Sequence, residues 1–240
     1  PPAATLSVEP AAIGRSSPAP HAVLHSHPTQ RASVSDYRWD LFISYKRGHC
    51  TELWVRTVLY PTLCNHAPPA GIRRTSIFWD DESLPYGSQI DQIKEAATTA
   101  RCVLAVLSPD YFYESEWCWR EWRTFANREA AAGLLNQAHQ GTGIIYPLVH
   151  VDDHEVYPFH EEARQRRLDR SFLEYATLYG QQRGSERWSA FEARAVTLCK
   201  GLAQRAYRAP HFDPTLGFDD SAPPPRPRPE PLPLPSKVDP

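Results

Sequence analysis

Residues 39–47 read WDLFISYKR, and this stretch decides the predicted fold. Its middle is apolar throughout, which is typical of a strand buried on both faces of a parallel sheet. Three further short runs have the same character, at 76–80, 102–108 and 143–151. Pro147 interrupts the last run, which favours a strand end or an edge position because proline has no N–H to donate.

Segments with helical periodicity alternate with these strands. Residues 51–60 predict a first helix, which Pro61 should end or kink. Further helices are predicted over 88–99, from an N-cap at Ser115 onward, and over 186–207. This alternation predicts a doubly wound α/β layer with helices on both faces, a class of fold that binds ligands at the carboxyl ends of its strands.

Proline content divides the chain into three parts. Residues 1–34 hold six prolines and residues 209–240 hold eleven, whereas the 174 residues between them hold seven. Neither end has an apolar pattern that would offset its ordering entropy, so we predict disordered tails around one domain at 35–208. The C-terminal tail contains PPPRPRPEPLPLP, which favours polyproline II and is either a ligand for a proline-reading domain or a solvated spacer.

Charge and apolar run length argue against two classes of partner. The net charge is −2, which disfavours a strongly basic nucleic-acid-binding protein. The longest apolar runs have about seven residues, whereas a membrane-spanning helix needs about twenty. The N-terminal residues also lack the pattern of an export signal. We therefore expect no direct nucleic-acid partner and no membrane partner.

Cysteine usage predicts a cytoplasmic protein with free thiols. The cysteines number five, and no two have C-x-x-C spacing, which argues against a disulfide framework and a thiolate zinc site. His150 and His154 have a spacing that can hold a metal on a helix. However, His150 belongs to a strand pattern and residues 152–153 are typical of a turn, so we expect no metal.

Charged and aromatic side chains follow the first three strands, and these strand ends should meet at one edge of the sheet. The common nucleotide-binding and hydrolase motifs G-x-x-x-x-G-K-[ST], G-x-G-x-x-G and G-x-S-x-G are absent. Three boxes instead resemble those of the Toll/interleukin-1 receptor (TIR) domain family. They are WDLFISYKR at 39–47, IFWDDESLPYG at 77–87 and LSPDYFYESEWCWRE at 107–121.

The resemblance covers about 37–208 and implies a flavodoxin-like parallel sheet of five strands, although 152–180 matches no strand well. It also implies two family roles. One is TIR–TIR scaffolding, and the other is cleavage of the nicotinamide–ribose bond of NAD⁺, as in bacterial immunity or toxicity effectors. The loop containing Pro85-Tyr86-Gly87 mediates self-assembly in the family, and the stiff Pro85 leaves the assembly mode open.

Glu121 is the predicted catalytic residue. Cleavage of the N-glycosidic bond develops positive charge on the ribose, and a fixed carboxylate stabilises that charge. Glu121 follows Trp117 by four residues, so both lie on one flank of a helix whose Cys118 faces the core. By resemblance, Glu121 also matches the catalytic glutamate of the family.

The predicted substrate-binding residues divide by the part of NAD⁺ that each suits. An indole can stack on a flat base, and cations can meet the pyrophosphate. A carboxylate, from Asp80 or Glu82, can bind a ribose hydroxyl. The set is Ser44, Tyr45, Lys46, Arg47, Trp79, Asp80 and Trp117. The resemblance places Tyr45, Lys46 and Arg47 along the nucleotide cleft. Each residue also has a simpler interpretation, as core packing or as a solvated charge.

Three functions remain open from the sequence. The first is an NAD⁺ glycohydrolase that takes NAD⁺ as substrate, needs no cofactor and is activated by self-association. Because neither tail can fold into a sensor, its trigger would be a separate activator protein or a small molecule. The second is a non-enzymatic TIR–TIR adaptor. The third is a module that binds a nucleotide signal without turnover.

Overall fold

A four-stranded parallel sheet forms the centre of the protein. The computed structural model describes residues 37–48, 50–80, 88–152, 161–181 and 183–221, all within the unit Val34–Pro240. The strands are β1 (Trp39–Tyr45), β2 (Ile77–Trp79), β3 (Ala100–Leu107) and β4 (Ile145–Val149), in the order β2-β1-β3-β4. All neighbouring strands pair in parallel. Each of the four strands lies where an apolar run predicts one.

Helices cover both faces of this sheet. The helices are α1 (Cys50–Trp54), α2 (Tyr60–Ala70), α3 (Ser88–Thr99), α4 (Asp110–Tyr113), α5 (Glu116–Ala131), α6 (Leu135–His139), α7 (Glu161–Arg164) and α8 (Glu186–Tyr207). α2 packs on α8 on one side, and α3 packs on α5 on the other. This is the predicted flavodoxin-like α/β arrangement, and it explains why β3 is buried along almost its whole length.

The predicted helices over 88–99 and 186–207 are confirmed. Ser115 caps α5 as predicted, because its hydroxyl accepts a hydrogen bond from the Cys118 N–H at 3.1 Å. On α8, Phe191 and Leu202 are fully buried and pack into the core. All five cysteines are free thiols, and only Cys50 is exposed.

Pro61, which is predicted to end or kink the first helix, does not end it. A π-helical turn at Val55–Leu59 precedes it, and the helix then continues through α2 to a left-handed Gly71 with φ of 103°. The Tyr60 N–H donates to the Val55 carbonyl within this wide turn. Pro61 therefore occupies the first turn of α2, where a missing N–H is tolerated.

The described residues contain four strands rather than the five that the resemblance implies. At the outer edge of β4, where a fifth strand would pair, the described chain forms a single bridge at Asp169. The Asp169 N–H donates to the Pro147 carbonyl at 2.9 Å, and the Asp169 carbonyl accepts from the Val149 N–H at 2.8 Å. Pro147 therefore faces the outer edge, where its missing N–H costs no bond to β3. Between 161 and 180 the chain forms short helical turns, which bury Phe172 and Leu178 in the core.

Two adjacent residues near the end of α5 tie this helix to its neighbours. The buried Arg128 guanidinium donates to the carbonyls of Thr98 at 2.7 Å and Ala100 at 2.5 Å, which caps the end of α3. Glu129 forms a buried ion pair with Arg166 at 2.6 Å and accepts the Ile145 N–H at 3.1 Å. α5 is thereby fixed against α3 on one side and β4 on the other.

The packed part of the chain continues past the predicted domain end at residue 208. Residues 209–221, which the sequence analysis assigns to the disordered tail 209–240, contact the domain at both of their ends. The Tyr37 hydroxyl donates to the Pro210 carbonyl at 3.0 Å, and the Asp219 N–H donates to the Thr124 hydroxyl at 2.9 Å. The predicted tail 1–34 and the proline-rich residues 222–240 lie outside the described residues.

We expect Glu129→Ala to lower the free energy of unfolding by about 3–5 kcal/mol, because it leaves the Arg166 charge buried and unpaired. The control is Glu95→Ala, which removes an equally short ion pair: Glu95 lies 2.6 Å from Arg38, but both side chains are more than half exposed. That variant should lose less than about 1 kcal/mol. Urea denaturation measures both values, and equal losses would contradict the importance of burial.

Candidate active site

A cleft of about 440 Å³ opens at the carboxyl ends of β1 and β2, between the first turns of α3 and α5. Six of the eight predicted site residues line it: Tyr45, Lys46, Arg47, Asp80, Trp117 and Glu121. They come from three separate parts of the chain. The parallel sheet brings them together because it places the ends of its strands at one edge.

Glu121 lies at the base of the cleft and is only 8% exposed. The Ser44 hydroxyl donates to its Oε2 at 2.5 Å. The same hydroxyl lies 2.6 Å from the hydroxyl of Tyr111, which is fully buried. The Ser44 oxygen can accept from Tyr111 while its proton goes to Glu121, so the three side chains form a continuous hydrogen-bonded chain.

Burial raises the pKa of Glu121 to about 8. The hydrogen bond from Ser44 and the charge of Arg47 favour the carboxylate and oppose this rise, whereas the negative charge of Asp80 adds to it. The cleft therefore holds a carboxyl group that changes its charge near physiological pH. A titratable group of this kind in a cleft is a common feature of functional sites.

An ion pair joins the ends of β1 and β2. Arg47 pairs with Asp80, and Gln89 at the start of α3 donates to the same carboxylate at 2.9 Å. The Tyr45 hydroxyl donates to the Asp80 carbonyl at 2.9 Å. Burial raises the pKa of Asp80, and the adjacent Arg47 charge works against that rise. Lys46 lines the same wall of the cleft.

Trp117 forms part of the opposite wall, in the first turn of α5. The guanidinium of Arg120 lies 5.6 Å from its ring centroid. The ring of Phe218 lies 6.0 Å away with an interplanar angle of 38°. As predicted, Trp117 and Glu121 share the cleft flank of this helix, and Cys118 is buried against the core.

Two predicted substrate-binding residues occupy other positions. Ser44 is 1% exposed, so it supports Glu121 from below instead of facing the cleft. Trp79 is absent from the cleft lining in the described residues and instead stacks on Tyr60 of α2 at 4.6 Å. Successive residues of a strand point to opposite faces, so Asp80 reaches the cleft while Trp79 faces the other way.

Three further residues contribute to the site and were not predicted from the sequence. Tyr111 lies in the third box, but its role depends on the α4 turn, which aims its hydroxyl back at β1. Gln89 is an ordinary polar residue at a helix start, and only Asp80 across the cleft gives it a role. Phe218 lies in a segment without periodic apolar pattern, so the sequence carries no signal for its contact with Trp117.

A comparison with protein families decides how this site is classified. The family model for the TIR domain matches residues 41–170, which is more than half of the chain. The protein belongs to the TIR domain family. All six cleft residues named above fall inside the match, from Tyr45 to Glu121. A comparison with curated proteins finds no match.

Membership of the TIR family supports two classes of function at a coarse level, TIR-type signalling through homotypic TIR contacts and the NAD⁺-cleaving branch of the family. In the described part of this TIR protein, no helix is long and apolar enough to cross a membrane. The same residues contain no group of three or more His, Cys, Asp or Glu side chains arranged to hold a metal ion.

The buried carboxyl of Glu121 predicts a measurable cost in stability. Its pKa is raised from 4.5 to about 8 by burial, so between these pH values the folded protein holds a proton that the unfolded chain releases. Wild-type stability therefore falls as pH rises through this window. We expect Glu121→Gln to match the wild type near pH 4.5 and to exceed it by roughly 2–5 kcal/mol at pH 9.

Denaturant unfolding measured from pH 4.5 to 9 tests this expectation. Glu116→Gln is the matched control, because Glu116 lies on the same helix and its side chain is 67% exposed. This control should follow the wild-type curve. A Glu121→Gln curve parallel to the wild type would show that the carboxyl is not buried in its neutral form.

Proposed function

We propose that this TIR protein is an NAD⁺ glycohydrolase, which cleaves the nicotinamide–ribose bond and releases nicotinamide and ADP-ribose or a cyclised form. One observation carries the proposal. A buried carboxyl group, Glu121, lies at the base of a cleft whose walls supply an indole from Trp117 and cations from Lys46 and Arg47. This set combines a charge stabiliser with groups suited to a flat base and a pyrophosphate.

The cleft has the size and chemistry for a nucleotide. Its volume of about 440 Å³ is typical of small-molecule sites. Trp117 can stack on the nicotinamide ring, and Lys46 can approach the pyrophosphate as a point charge. Arg47 stays paired with Asp80 and can donate its remaining N–H groups to the pyrophosphate. The Asp80 carboxylate can accept a hydrogen bond from a ribose hydroxyl.

The reaction needs little acid catalysis at the leaving group. As the C1′–N bond breaks, its electron pair goes to the nicotinamide nitrogen and neutralises the positive ring. The positive charge then resides on the ribose, where the Glu121 carboxylate stabilises it. Water adds to C1′ and loses a proton, which yields ADP-ribose. Attack by a group within the ADP-ribose moiety gives the cyclised product instead.

The raised pKa of Glu121 fits this role. In the free protein the carboxyl is mostly neutral near pH 7, because its pKa is about 8. The positively charged nicotinamide ring of bound NAD⁺ favours the carboxylate. Substrate binding thus generates the charged form where it is used. We expect kcat/KM to rise as pH increases toward 8. We expect kcat to show the same rise with a midpoint at a lower pH, because bound NAD⁺ lowers the pKa of Glu121.

Activation is part of the proposal. TIR domains associate with one another, and we propose that homotypic association switches on NAD⁺ cleavage here, in response to a separate activator protein or a small molecule. NAD⁺ is the substrate, and no bound cofactor is needed for the bond cleavage described above. A role in bacterial immunity or toxicity accords with such an activity.

The test is nicotinamide release by concentrated protein with and without a crowding agent, measured by chromatography. We expect release from the wild type and a loss of at least about a hundredfold in Glu121→Ala, since the variant lacks the group that stabilises the transition state. Glu95→Gln is the control for the loss of a carboxyl group outside the cleft, because Glu95 pairs with Arg38 at an exposed position of α3. It should retain the wild-type rate.

Full nicotinamide release from Glu121→Ala would contradict the proposed catalytic residue. If the wild type releases none under assembling conditions but NAD⁺ raises its melting temperature, the cleft binds a nucleotide without turnover. If NAD⁺ has neither effect, the adaptor function is favoured.

Ser44→Ala tests the hydrogen-bonded chain beneath the cleft. The hydrogen bond from Ser44 lowers the pKa of Glu121, so its loss should move the rise in kcat/KM to higher pH. At pH 7 we expect a decrease of about tenfold, as is typical for a hydrogen bond to a charged group. Tyr111→Phe keeps the Ser44 donor and should shift the profile less. An unchanged pH profile in Ser44→Ala would contradict this role.

A further inference from the structure

Residues 209–221, named here the C-terminal segment, lie outside the residues that match the TIR family. The segment begins beside Tyr37, before β1, where the ring of Phe212 lies 5.2 Å from the tyrosine ring. It ends beside the helices that form the cleft. It therefore joins the amino edge of the sheet to the carboxyl edge along α3 and α5.

Charged and polar groups fix the far end of the segment. The Asp219 carboxylate accepts from the Asn127 amide at 2.9 Å and lies 3.8 Å from Arg123, both on α5. Lys94 of α3 pairs with Asp220 at 2.7 Å. Because these contacts come from both helices, the segment is held across α3 and α5 close to where they border the cleft.

Phe218 is the residue by which the segment reaches the cleft wall. Its half-buried ring lies 6.0 Å from the Trp117 ring and 5.6 Å from the Lys94 ammonium. Arg120 lies 5.6 Å from the same indole. Trp117 is thus in contact with two side chains, and it also lines the cleft.

We propose that the C-terminal segment is part of the nucleotide site, with Phe218 as a positioning residue that fixes the Trp117 indole for stacking on the flat base of the substrate. This inference rests on the proposed function, which makes Trp117 a stacking surface. An indole fixed in advance loses less side-chain freedom when ligand binds, so affinity increases. The segment then acts on substrate binding and leaves the chemical step to Glu121.

Steady-state kinetics on three variants of the full chain tests the role of Phe218. Phe218→Ala should raise KM for NAD⁺ about threefold to tenfold and leave kcat within about twofold, as expected for an interaction equal in ground and transition states. Phe218→Tyr keeps the ring and should restore the wild-type KM. Phe212→Ala removes the other phenylalanine of the segment, far from the cleft, and should leave KM unchanged.

An unchanged KM in Phe218→Ala would overturn the inference. So would an equal rise in Phe212→Ala, because it would indicate a general effect of loosening the segment. Melting temperatures of the variants show whether each is folded at the assay temperature. If Phe218→Ala unfolds, Phe218→Leu takes its place, because leucine fills much of the same space without a ring. A raised KM in Phe218→Leu supports a requirement for the ring, and a wild-type KM contradicts it.

A second measurement does not depend on NAD⁺ cleavage. Acrylamide quenching of Trp117 fluorescence is obtained as the difference between each protein and its Trp117→Phe version. We expect the quenching constant to increase about twofold in Phe218→Ala and to stay unchanged in Phe212→Ala. Equal quenching in all variants would overturn the inference. If the wild type releases no nicotinamide, the proposed function fails, whereas the quenching result still decides whether Phe218 positions Trp117.

Discussion

Burial of the central strands on both faces is the constraint from which the rest of the structure follows. β1 and β3 pair in parallel along six residues, and every residue after the first two of each strand is buried. A parallel sheet can be completed only by crossover segments, and those segments must cover both faces to keep water from the strands. The helices α3 and α5 on one face therefore rise beside the carboxyl ends of β1 and β2, and the cleft between them is a consequence of this covering.

Helix α5 carries one side chain that destabilises the folded protein and two that stabilise it. In its second turn Glu121 buries a carboxyl group whose pKa is raised by desolvation, which destabilises the folded protein above the ordinary carboxyl pKa. Two turns later Arg128 caps α3 and Glu129 pairs with Arg166. Arg128 and Glu129 fix α5 against α3 and β4. The buried carboxyl of Glu121 is therefore kept in place beneath the cleft.

The strands and the longer helices could be predicted because their patterns are local. Apolar runs identified β1 to β4, and the spacing of buried residues identified α3 and α8. The errors have equally specific causes. Pro61 does not end its helix, because a π-helical turn earlier in the chain adjusts the backbone before it. The 161–180 region forms no full strand, because its aromatic residues fill the core from short helical turns and only Asp169 pairs with β4.

The sequence was enough to predict the α/β class, the family boxes and the gathering of Lys46, Arg47, Asp80, Trp117 and Glu121 at one edge, since strand ends in a parallel sheet must meet there. The contacts between individual side chains could be found only in the folded protein. The tertiary structure placed Ser44 beneath Glu121, turned Trp79 away from the cleft and brought Phe218 to Trp117. Side-chain direction and burial depend on neighbours that are distant in sequence. A shift of one residue in strand register would also move every side chain of the strand to the opposite face of the sheet.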